Sequence, residues 1–428
     1  MIPHLKQRLH RLLRWSEKYT KTDMVYFASG NFWLLFGRQI GLASGFILTV
    51  AFANLLLPES YGIYKYILAG AGMISAISLT GSSPAAQRAL AKEHNNVIRP
   101  LVWYSFLWNI PATVVSLGVA AYYFWYGNSI LGGGFIFVAL STIFLGLGIS
   151  KSFFVAVGQF RIAAYFNTLR SVVPTMSILV GLYFTKNVLV LIAICISSQI
   201  IMSIVTYYWS LRYIPHKDGD TYLKESKKYS LYLSMMGLIQ VPAQYVDQFL
   251  LWHFLGPVAL ASYTIAQGPA KELRIITDNI ANIAFPKLAH KEASAHFAAN
   301  TIPKRTLQLL LPFACIILLY VLFAPILFKI FFPKYLGSVF YSQLIAFGLL
   351  LQPRTLADTF LFAHSGVKDR FAINIPDSII RIILFAILIP LFGILGAIAA
   401  TYITEICTTG IVYYRYRAFE QKIALLNK

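Results

Sequence analysis

Apolar stretches of about 20 residues recur along the whole chain, parted by short polar turns, and at about 1.5 Å per residue each can cross a hydrocarbon core of about 30 Å. Hydropathy read together with turn signals predicts twelve spans, near 28–56, 61–80, 101–125, 129–150, 163–184, 187–210, 229–254, 257–285, 306–331, 339–363, 373–393 and 395–416. The charged segment 217–228 leaves six spans on each side. The expected organisation is a basic amphipathic segment over 1–26, a six-helix lobe over 27–212, a linker over 213–228, a second six-helix lobe over 229–417 and a tail over 418–428. The fold class is an all-α polytopic membrane protein.

Composition removes the main alternatives. With 58% hydrophobic residues, 12% charged residues and a mean hydropathy of +0.66, neither a soluble protein nor a soluble enzyme on one anchor fits. The net charge of +20 would suggest nucleic acid in a soluble chain, but here the placement of the cations points to topology. If the N-terminus is cytoplasmic, 26 Lys and Arg fall in inner segments, four (Lys65, Lys186, Lys329, Lys334) on the opposite face and six within spans. The positive-inside rule then predicts both termini, the linker and the tail in the cytoplasm. Leu5, Leu9, Leu12 and Leu13 with Arg8, Arg11, Arg14 and Lys18 suit a basic helix on the inner leaflet, either a topology anchor or a lipid-binding element. The first 25 residues show no apolar core before a cleavage site, so the first span is expected to do the targeting.

The outer turns are short and the longest inner segments are too small for a folded domain, so any chemistry belongs inside the bundle. There is no phosphate-cradling glycine loop, no His-Glu-x-x-His and no Gly-x-Ser-x-Gly, which argues against an ATP-driven pump and against an enzyme. Cys195, Cys315 and Cys407 lie in separate apolar segments and have no metal-ligand spacing.

The halves echo each other. Pro58 is followed six residues on by Tyr64, and Pro257 likewise by Tyr263; each pair leads through a helix to a further proline, Pro84 or Pro286, that opens a basic stretch. Six spans per half make this a parallel repeat. The chain resembles the polysaccharide transporters (Wzx-type flippases) of the multidrug/oligosaccharidyl-lipid/polysaccharide exporter superfamily, in Leu57-Pro58-Glu59-Ser60-Tyr61-Gly62-Ile63-Tyr64, in Gln244-Tyr245-Val246-Asp247 through Leu255-Gly256-Pro257 to Tyr263, and in Pro286. Ala261 departs from the glycine that such proteins often carry there. The resemblance implies alternating access that moves an isoprenoid-pyrophosphate-linked oligosaccharide to the outer leaflet of the cell inner membrane. That step serves surface polysaccharides such as the O-antigen of lipopolysaccharide. It also implies membrane lipid, a polysaccharide polymerase and chain-length machinery as partners.

Ionised groups at a span centre cost roughly 2.5–3.5 kcal/mol each, so those within the spans are expected to face the interior. The cations are Arg38, Arg170, Lys271, Arg274, Arg354 and Arg381, and the anions Asp247, Glu272, Asp278, Asp358, Asp377 and Glu405. Arg274 with Asp278, Arg354 with Asp358 and Asp377 with Arg381 stand at i,i+4, a spacing that suits mutual neutralisation as well as a working site. On the eighth span Tyr263, Gln267, Lys271, Arg274, Asp278 and Asn282 form a polar stripe, which either lines a cavity or bonds to polar residues of another helix, with Gln240, Gln244 and Asp247 on the seventh span as one candidate. The first six spans hold Arg38 and Arg170 with no acid, and guanidinium groups bind phosphate bidentately. The expected substrate-binding set is Arg38, Arg170, Lys271, Arg274, Arg354, Arg381, Tyr263 and Gln267. Asp247 and Glu405 lack a basic residue at i±3 or i±4 and are the expected ion-coupling acids, with H⁺ or Na⁺ in place of any cofactor. Competing functions are a cation-coupled multidrug exporter of the same architecture and a membrane glycan polymerase or ligase; the latter lacks the large outer loop it would need.

Overall fold

The computed structural model describes residues 24–92, 94–213, 222–289, 295–365 and 367–426, and among these the regular elements are all helical. The amphipathic segment expected over 1–26 lies outside the described residues except for its last three. In chain order the α-helices are α1 (Met24–Leu55), α2 (Pro58–Ser75), α3 (Ser82–Leu90), α4 (Ile98–Trp108), α5 (Ile110–Trp125), α6 (Ser129–Phe144), α7 (Ser150–Ala156), α8 (Phe160–Phe184), α9 (Val188–Leu211), α10 (Tyr222–Ala243), α11 (Val246–Ala289), α12 (Ala295–Phe331), α13 (Val339–Phe347), α14 (Thr355–Ser365) and α15 (Val367–Leu426).

Local sequence sets where these helices start and turn. Pro58 occupies the first turn of α2, where its missing N–H costs nothing. The Asn187 side chain caps α9 by accepting from the Leu189 amide at 2.9 Å. Eight stretches of the described residues are long and apolar enough to cross a membrane, and two of them, Tyr222–Arg274 and Phe371–Phe419, run to 53 and 49 residues. Each long stretch joins two expected spans through a glycine at positive φ, Gly256 at 80° and Gly393 at 59°, a conformation that a Cβ disfavours.

In each half the fourth expected span is interrupted. A 3-10 turn at Leu145–Ile149 separates α6 from α7, and one at Gly348–Arg354 separates α13 from α14. Such breaks free backbone groups, which a membrane tolerates only where they are buried in protein or face a cavity.

Contacts divide the chain into two compact units. One holds the chain up to Leu48 with Ile77–Gly127 and Gly132–Ser234; its core packs Ala86, Ile98 and Leu101 against Phe153, Phe154 and Phe166. The other holds Thr49–Ala76, Asn128–Leu131 and Met235–Lys428, with a core around Leu251, Tyr263, Phe385 and Ala397. Segment 49–76, which the hydropathy halves assign to the lobe over 27–212, thus packs with the second unit. The physical reason is a close helix crossing. A Cβ on Gly62 would stand 2.0 Å from the Pro257 carbonyl oxygen, and one on Gly72 would stand 2.4 Å from the Tyr245 ring, so only glycine lets α2 lie against α11. Tyr66 stacks on Trp252 at 4.3 Å along the same seam. In the same unit the Lys334 ammonium donates to the carbonyls of Asn54 (2.7 Å) and Leu56 (3.1 Å), and Asn54 donates to Phe331 at 2.9 Å. A cation thereby satisfies carbonyls left open at the end of α1.

Candidate functional site

Each unit holds an open cavity lined in part by its interrupted span. In the first unit a cavity of about 800 Å³ is bounded by α1, α6 with its 3-10 turn, α8 and α9. Gly37 and Gly41 let α1 approach α8, since a Cβ on Gly37 would stand 2.6 Å from Thr168 Oγ1 and one on Gly41 3.0 Å from Ser171 Oγ. That approach brings Arg38 and Arg170 to one cavity, as their shared place in the first half suggests. Arg170 Nη2 donates to Ser203 Oγ at 3.0 Å, and Ser203 in turn donates to the Gln199 carbonyl at 2.8 Å. Among the described residues Arg170 Nη1 is buried without a hydrogen-bond partner, and no Asp or Glu lines this cavity. A buried guanidinium with an open N–H has the chemistry to donate to an anion.

The second unit's cavity, about 790 Å³, is lined by α10, α11, the 3-10 turn Gly348–Arg354 and both arms of α15. It gathers Asp247, Tyr263, Gln267, Lys271, Arg274, Arg381 and Glu405. Asp247 is buried and bound by neutral donors: Tyr263 Oη at 3.0 Å, Gln267 Nε2 at 3.4 Å and the Gln248 amide at 2.8 Å. No ion pair to Asp247 occurs among the described residues. Tyr263 and Gln267, expected to bind substrate, line the cavity and also bond to this carboxylate.

Glu405 is different. Its expected lack of a cationic partner holds only along its own helix: Arg354 Nη2 bonds to Oε2, and Arg381 Nη2 lies 3.6 Å from Oε1. Arg381 also stands 3.7 Å from Asp377, as the i,i+4 spacing predicts, and Thr408 donates to Asp377 at 2.5 Å. Arg354 therefore joins Glu405 across the fold and is not among the residues lining the cavity. Glu405, expected as a coupling acid from its own helix spacing, is thus paired across the fold with two arginines, which that spacing does not reveal. The side chains of Asp278 and Asn282, the lower part of the polar stripe, lie outside the described residues.

Several lining residues escape the sequence reading. Gln199 and Ser203 in the first cavity stand at i,i+4, as do Asn374 and Ser378 in the second, so a stripe search on those spans finds them. Gln352 has no such signal, because it sits in the 3-10 turn rather than on a helix face.

Comparison with known proteins agrees with this architecture. A family model described as polysaccharide biosynthesis protein matches residues 27–292. Among solved structures the chain is similar to the lipid II flippase MurJ in an inward closed conformation, with a TM-score of 0.69, 14% identity, and 93% of this chain and 90% of that one covered. It is also similar to a multidrug resistance MATE family transporter of the MOP superfamily in an outward-facing conformation (TM-score 0.63, 14% identity, 92% and 96% covered). A MOP superfamily transporter from Pyrococcus furiosus is a further relative in fold, at a TM-score of 0.56 and 13% identity over 93% and 96%. No curated protein sequence matches the chain.

Proposed function

The chain belongs to the polysaccharide biosynthesis protein family, and from that premise we propose that it is a flippase carrying an isoprenoid-pyrophosphate-linked oligosaccharide from the inner to the outer leaflet, by ion-coupled alternating access, for surface polysaccharide assembly. The observation that carries this reading is Arg170, whose buried Nη1 has no partner in a cavity that holds Arg38 and no acid. The second unit makes the contrast. There the arginine of the corresponding span, Arg381, meets the carboxylates of Glu405 and Asp377, whereas Arg170 meets only the Ser203 hydroxyl. A pyrophosphate supplies the missing negative charge, and two guanidinium groups offer it paired donors in a low-dielectric surround. A cationic drug is repelled by the same pair, which disfavours the multidrug-exporter reading. Energy would enter at Asp247, a buried acid whose hydrogen-bond donors are neutral, by exchange of H⁺ or Na⁺.

Ser203→Glu tests the anion site by installing an internal counter-ion beside Arg170. Surface-glycan export in a strain lacking the native copy, at matched membrane levels, should fall at least about tenfold with Ser203→Glu and with Arg170→Ala, in keeping with the loss of a charge-assisted contact of about 1.5–3 kcal/mol. Export at the native rate in both variants would remove this cavity from the transport path.

A further inference from the structure

The second cavity differs in chemistry from the first. It is formally neutral, with Asp247, Asp377 and Glu405 against Lys271, Arg274 and Arg381, and two of its acids already bind arginine. What remains open is a set of side-chain amides. Gln240, Gln244, Gln248, Gln352 and Asn374 line the cavity and make no side-chain hydrogen bond among the described residues. Gln352 is only 6% exposed overall and lines the cavity.

A primary amide presents a donor and an acceptor side by side, the arrangement that a hydroxyl or a pair of neighbouring hydroxyls matches, and it carries no charge to attract an ion. Tyr245 and Tyr402 add aromatic faces beside these amides. The volume of about 790 Å³ lies within the range of small-molecule sites. We infer that the second unit's cavity is a glycan subsite: Gln352, Asn374, Gln244 and their neighbours bind the uncharged hydroxyl-bearing sugars of the cargo. This rests on the flippase reading and deepens it, by naming uncharged hydroxyl-bearing sugar as the chemistry that this unit's cavity takes.

The test compares two probes on the purified full chain in detergent: farnesyl pyrophosphate, and farnesyl pyrophosphate carrying an uncharged disaccharide. The native protein should bind the sugar-bearing probe more tightly. Gln352→Met and Asn374→Leu should each weaken that probe about three- to tenfold, the worth of a neutral hydrogen bond, and leave the sugar-free probe unchanged. Gln244→Met, at an exposed position that cannot unfold the core, should act in the same direction. Arg170→Ala should weaken both probes. Equal affinity of the native protein for the two probes, or equal loss of both in the amide variants, would overturn the glycan subsite. Selective loss of the sugar-bearing probe in the amide variants with no effect of Arg170→Ala would support the subsite while removing the anion site, so the two proposals fail separately.

Discussion

Two buried acids in one cavity have opposite surroundings. Asp247 is solvated by a phenol and amides, all neutral, whereas Glu405 is fixed between Arg354 and Arg381. Removing one charge from the second arrangement leaves two guanidinium groups short of their partner, while Asp247→Asn keeps an acceptor for Tyr263 and relieves the burial of a charge. Glu405→Gln should therefore destabilise the protein by about 3–5 kcal/mol and lower its folded yield. Asp247→Asn should fold at native yield but lose the dependence of transport on an imposed H⁺ or Na⁺ gradient. Thermal unfolding in detergent and transport in vesicles with and without each gradient read these effects. A stable Glu405→Gln protein, or an Asp247→Asn protein that still follows the gradient, would contradict them.

At the scale of elements, what positions the second unit is the seam between α2 and α11, and its tolerance is set by glycine. Gly62 has no room for a methyl group because the facing atom is backbone, the Pro257 carbonyl, which cannot swing aside as a side-chain tip does. Gly118 on α5 has nothing within 4 Å of its Cβ position. Gly62→Ala should cost about 1–3 kcal/mol from overpacking. Gly118→Ala should be neutral or add roughly 0.5–1 kcal/mol, since alanine is the better helix residue. Melting temperatures of the two variants in one detergent compare them directly, and equal melting temperatures would mean that the seam is looser than the structure shows. The broken helices are the second feature at this scale: both 3-10 turns fall on the fourth span of a half, and both line a cavity, so the interruption and the site go together.

For the whole molecule the charge asymmetry makes the orientation testable. With 26 cations expected inside and four outside, Lys186 and the turn at Pro58 should face the periplasm and Lys224 the cytoplasm. Single cysteines at these positions, on a chain whose Cys195, Cys315 and Cys407 have been replaced, should react with an impermeant thiol reagent added outside at the first two places alone. Labelling of Lys224→Cys from outside would invert the topology.

The sequence by itself determined the helical class, the places where helices lie and the concentration of unopposed arginine in the first half, because apolar length and charge count are local properties that no packing detail reverses. It also located the proline and tyrosine pairs that mark the repeat, and the Asp377–Arg381 pair, whose members are one helical turn apart. Partner choice across the fold was decided by tertiary structure alone. Arg354 and Glu405 are 51 residues apart, beyond any helical spacing, so only the fold brings them together. The grouping of segment 49–76 with the second unit likewise depends on a glycine meeting a distant carbonyl. The amides of Gln352 and Asn374 face a cavity because their helices converge there, and spacing along one helix shows which residues share a face but never what that face meets.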